Sequence, residues 1–229
     1  MRRPRSILEA LFLALLAVSA PAQSANPADN PGVSTVIFNS VWERATPQNF
    51  TITVPSSGNT KYVSGSPIKP EDKNAAQDES YQFEFTLSAA VQEKIFRLAR
   101  EAKYFNGDFD FRSHPVASTG KKTLAFADPT RHFQTAFDYS ENKSIQELTA
   151  IFQGISSTIQ HGRRLQYLRR FDKLGLEAEL KGMESEVDTH YLAELQIITP
   201  ILKSLAEDSA VLNIARQRAK RLLAKIGHE

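Results

Sequence analysis

The densest group of side chains able to do chemistry is Asn106-Gly107-Asp108-Phe109-Asp110-Phe111-Arg112-Ser113-His114. Asp108 and Asp110, at i and i+2, offer oxygens to a hard cation, and His114 adds a nitrogen for a softer one. These three are the candidate metal ligands. The spacing departs from a calcium loop, which needs a third Asp or Asn where Arg112 stands and a Gly where Ser113 stands. Phe109 and Phe111 alternate with the carboxylates, as in a strand with one wet face.

The other reactive groups form no motif. His114, His132, His161, His190 and His228 show no HExxH spacing. There is no GxSxG, no SxxK and no cysteine, so thiol chemistry and disulfides are excluded. Phosphate-cradling glycine motifs are missing too. We therefore assign no catalytic residue and no cofactor from sequence. A triad assembled across the fold is geometric, so a hydrolase stays open as an alternative.

Two basic runs stand out: Arg163-Arg164 with Arg169-Arg170, and Arg216, Arg218, Lys220, Arg221 and Lys225. Glu177, Glu179, Glu184 and Glu186 are expected to neutralise the first. That leaves Arg216, Arg218 and Arg221 as the candidate surface for an acidic protein partner. Trp42, the one tryptophan, closes a strand pattern and is expected in the core.

The elements that must position these groups start after a leader. Arg2, Arg3 and Arg5 precede an apolar run, Ala10–Val18, and Ala20-Pro21-Ala22 has the small-x-small form of a cleavage site. Residues 1–25 read as a secretory signal peptide too short in its apolar part to span a bilayer. Residues 26–32 read as a mobile leader. The expected location is periplasmic or extracellular, with no stable membrane span after cleavage. The chain carries 28 basic and 26 acidic side chains, and losing three Arg and one Glu with residues 1–25 leaves 25 of each. The pI of 8.8 therefore belongs to the precursor. A neutral mature surface gives no field for nucleic acid or anionic lipid. Fourteen Phe and six Tyr rule out a disordered chain.

The pattern predicts an α+β domain over 33–161, an antiparallel sheet with two packed helices, and an all-helical C-terminal region over 162–229. Strands are expected at 33–42, 49–54, 61–64, 81–87, 123–127 and 132–139, with an exposed loop at 65–80. Ser88 is expected to cap a helix with the stripe Val91, Ile95, Leu98, Ala99, Ala102. Ser144-x-x-Glu147 has the form of a capping box, opening a second helix through Ile159. Helices are then expected at 162–174, 177–187, 191–205 and 210–226.

Tyr81–Ile159, with its strand, helix ending at Lys103-Tyr104-Phe105, two strands and helix, resembles small exported bacterial domains of unknown function. That resemblance implies no chemistry. Leu192–Ile226, with Pro200, Asp208, Ile214-Ala215-Arg216, Ala219, Leu222 and Ile226, resembles one HEAT-type helical pair. In that family the Asp and Arg tie adjacent repeats, and the concave face binds proteins. A single copy is a hairpin and not a solenoid. The sequence thus points to an exported binding protein with a protein partner in the cell envelope. The alternatives are an extracytoplasmic hydrolase and a divalent-cation module at Asp108 and Asp110.

Overall fold

The computed structural model describes residues 32–65, 80–113 and 118–226. The expected signal peptide, most of the leader, loop residues 66–79, His114 and His228 lie outside the described residues. Six strands form one antiparallel sheet: β1 (Thr35–Val41), β2 (Asn49–Pro55), β3 (Asn59–Gly65), β4 (Tyr81–Thr86), β5 (Lys121–Ala127) and β6 (His132–Phe137). Their order is β4-β3-β2-β1-β5-β6, so the first strand is central. Alternation sets the buried face: Val36, Phe38, Ile52, Val54, Leu124 and Phe126 point into one core, while Thr and Asn take the other side. The β5–β6 turn is held by Asp128, whose Oδ1 accepts the Thr130 and Arg131 amides at 2.9 and 2.7 Å.

Helix α1 (Ala89–Glu101) opens as expected, with Ser88 Oγ accepting from the Val91 amide at 3.3 Å. Its exit is unusual. Lys103, Tyr104 and Phe105 all have positive φ, at 52°, 56° and 68°. A left-handed turn in three non-glycine residues is strained, and it drives the Phe105 ring into the core. Lys103 is exposed, so Lys103→Gly is expected to raise stability by about 0.5–1 kcal/mol. A lower urea midpoint for that variant would refute this account.

Several expectations need correcting. Ser144 does not cap the second helix. Asn142 does, its Oδ1 accepting from the Ile145 amide at 3.1 Å, while Ser144 sits inside the helix and donates to Glu101. Glu147 pairs outward with Lys94. The helix also does not stop near residue 160: α2 runs unbroken from Lys143 to Phe171. Its first half packs on the sheet, through Ile145, Leu148, Phe152 and Ile155. Its second half, through Leu165 and Leu168, enters a separate core built by α3 (Leu176–Asp188), α4 (Thr199–Glu207) and α5 (Asn213–Ile226). The helix expected over 191–205 begins only at Thr199, after a 3-10 turn at Leu195–Ile198. Glu194 adopts φ 58°, and Pro200, which has no amide hydrogen, lies in the first turn of α4.

Trp42 is not a core residue. It follows β1 with 37% of its surface exposed, its side chain lying over Gly120. Nor do Asp108 and Asp110 lie on a strand. That segment runs beside the end of β6, with Asp110 Oδ1 accepting the Asp138 amide at 3.0 Å. Among the described residues, no helix is long and apolar enough to cross a membrane.

Candidate binding cleft

The residues that meet at the junction of the two cores belong to no sequence motif. On α2, Gly154, Thr158 and Gly162 repeat every four residues and form a strip of small side chains. The 191–198 segment lies on that strip. A Cβ at Gly154 would sit 2.7 Å from the Tyr191 carbonyl oxygen, and Thr158 Oγ1 donates to the Ala193 carbonyl at 2.7 Å. Glu194 then reaches back to α1, accepting from the Ser88 amide at 2.7 Å and from Ser88 Oγ at 2.6 Å. This arrangement fixes Tyr191 at the rim of an open cleft of about 750 Å³.

The floor of the cleft is α2. Tyr62, fully buried beneath it, accepts from Gln160 Nε2 at 2.8 Å and lies 3.1 Å from Ser156 Oγ. Gln160 Oε1 in turn accepts from an Arg163 nitrogen at 3.4 Å, and the guanidinium carbon lies over the Tyr81 ring, 4.0 Å from its centre. One wall is the residue 42–48 connection, represented by Thr46. The other is α3, joined to α2 through His161.

His161 donates from both ring nitrogens, Nδ1 to Glu179 Oε1 at 2.7 Å and Nε2 to Glu186 Oε2 at 3.1 Å. Two carboxylates on two nitrogens require the doubly protonated ring. Burial opposes that charge, but the bonds and attraction from Glu179 and Glu186 outweigh it, so the pKa of His161 stands above the ordinary value. The raised pKa sets the sign of a pH dependence. This clamp stabilises the fold fully below the unfolded pKa near 6.5 and is lost as pH rises through the higher folded value. We expect the urea midpoint of the protein to fall as pH rises above the ordinary histidine value of 6.5, and His161→Gln to flatten that slope. Parallel slopes for the two proteins would exclude His161 as the titrating group.

The chain matches no family model and no curated protein. Function must therefore be read from the geometry.

The residues singled out from sequence are placed differently from one another. Asp108 and Asp110 both face Arg112, whose Nε lies 3.1 Å from Asp110 Oδ2 and whose other nitrogen lies 3.4 Å from Asp108 Oδ2. The guanidinium thus occupies the charge complement of the pair, and hydrogen bonding from the Asp138 amide and Arg112 holds Asp110 below the usual carboxylate pKa. Among the described residues, no group of three or more His, Asp or Glu is arranged to hold a metal ion. His132 is exposed at the start of β6, away from the cleft.

The acidic residues of α3 do not neutralise the first basic run. They split by helical face. Glu179 and Glu186 take His161, whereas Glu177 and Glu184 take Arg218, and Glu184 also binds Arg221 at 2.7 Å. Lys225 pairs with Asp188. Arg218 and Arg221 are therefore committed within the fold, and among the described residues the Arg216 side chain reaches only Asn213, at 3.4 Å. In the first run, Arg169 pairs with Asp208. Among the described residues, no carboxylate lies within ion-pair distance of Arg163, Arg164 or Arg170. Sequence reading missed His161 for lack of a partner at motif spacing. The available signal was the seven-residue interval between Glu179 and Glu186, which puts both carboxylates on one helical face.

Proposed function

We propose that the protein is exported and acts by binding, and that its ligand or partner engages the cleft face of α2. The observation that carries this reading is the saturation of His161. A general base needs a free ring nitrogen facing its proton donor, and both nitrogens here are taken by carboxylates. Ser156, the buried hydroxyl of the cleft, is in turn bonded to Tyr62. What faces outward is recognition chemistry: Arg163 and Arg164 without counter-ions, and the half-exposed rings of Tyr167 and Tyr191. This placement moves the interaction surface from α5, whose Arg218, Arg221 and Lys225 are paired with α3, to α2.

Export is supported by the signal-like pattern of residues 1–25 and is tested by fractionation. The chain is expected outside the cytoplasm with a new N-terminus near Ala22. An intact Met1 on cytoplasmic protein would refute export. The binding surface is tested by placing a photoreactive phenylalanine at Tyr167 or at Leu212, which is 47% exposed beside α5. A discrete adduct from position 167 and none from 212 supports the cleft face. The opposite result would return the surface to α5, and adducts from neither would remove both.

A further inference from the structure

The cleft carries a specific indication of what it binds. Arg163 stands where it meets a second depression, of about 400 Å³, beside residues 43–48. An exposed arginine ordinarily samples many rotamers, but this one is held from two sides. The Tyr81 ring lies under the guanidinium, its centre 4.0 Å from the central carbon, and Gln160 accepts from one nitrogen at 3.4 Å. Gln160 is itself anchored to the buried Tyr62 hydroxyl. The remaining donors of the fork have no protein acceptor among the described residues. The cleft's own carboxylates, Glu179 and Glu186, are held by His161. A pre-oriented guanidinium with no counter-ion matches the geometry of a bidentate oxyanion.

We propose that the cleft takes a small organic acid whose carboxylate or phosphate seats on Arg163 and whose apolar or aromatic body lies against Tyr191 and Tyr167. This rests on the cleft being the binding surface. Both tyrosines are half exposed as residues, Tyr191 at 52% and Tyr167 at 53%, and their phenol hydroxyls keep that wall wettable. Ser157 and Thr46 line the same space and offer hydroxyls to the polar end of the ligand.

The test is calorimetric titration of the full chain with three matched probes: phenylacetate, phenyl phosphate and the neutral phenylacetamide. At least one acid is expected to bind about tenfold or more tightly than the amide. Which acid binds tells a carboxylate source from a phosphate source. Arg163→Gln should erase the preference, while Lys203→Gln, exposed on α4, should keep it; matching melting temperatures show that both variants fold. Equal binding of acid and amide, unaffected by Arg163→Gln, would overturn the oxyanion assignment. Binding by none of the probes would overturn it too. In either case the adduct from position 167 judges the cleft face separately.

Discussion

Replacing Gly154 by Ala is expected to destabilise the protein by about 1–3 kcal/mol, although Ala is the better helix former. The added Cβ would lie 2.7 Å from the Tyr191 carbonyl oxygen and 3.1 Å from both the Ala193 nitrogen and its Cβ. Two of those three atoms are backbone, so no side-chain rotation relieves the overlap. The 191–193 segment must lift, and the bond from Thr158 to the Ala193 carbonyl must lengthen with it. Gly182 supplies the control. It lies exposed in α3, and a methyl group added there would meet nothing within 4 Å. There Gly182→Ala should stabilise by about 0.5–1 kcal/mol, the helical propensity gain alone. Opposite signs at two helical glycines, read from urea midpoints, would establish the close approach. A stabilising Gly154→Ala would refute it.

Glu194→Ala should cost about 2–4 kcal/mol, a large effect for a residue outside regular secondary structure. The residue is 5% exposed, and its carboxylate accepts from both the amide and the hydroxyl of Ser88. Ser88 is also the cap of α1, so the loss propagates to that helix terminus. The amide left behind is only partly reachable by water. Glu194→Gln keeps the shape and one acceptor oxygen, and should lose roughly half as much. If the Ala variant were as stable as the parent, the tether between the C-terminal segment and α1 would carry no energy. Because the tether also holds the cleft rim, we expect Tyr191 to become more accessible to quenching in the Ala variant.

The sheet and the first two helix stripes were legible because their signals are local. Tyr81, Phe83 and Phe85 alternate with polar residues, and Ile95, Leu98 and Ala99 recur at helical spacing, so burial on one side dictates each element. Boundaries were less legible. Ser144 and Glu147 fit a capping box in sequence, yet Asn142, two residues earlier, offers an equivalent oxygen and takes the role. The break expected near Gly162 failed for a related reason. Glycine weakens an isolated helix, but here Ile198 packs against its bare α-carbon, and tertiary contact outweighs propensity.

Sequence by itself determined the α+β class, the strand faces, the helical C-terminal region and the want of any contiguous catalytic motif, since each is set by neighbours a few residues apart. Tertiary structure alone decided the site. His161 meets Glu179 and Glu186 across 18 and 25 residues, and Tyr62 meets Gln160 across 98. It also decided which cations are free. Glu177 and Glu184 face α5 because α3 turns that side toward Arg218, which leaves Arg163 exposed on α2 with an aromatic ring beneath it. Charge pairing depends on which helix faces meet, and that geometry is written in the packing of whole elements rather than in any short stretch of chain.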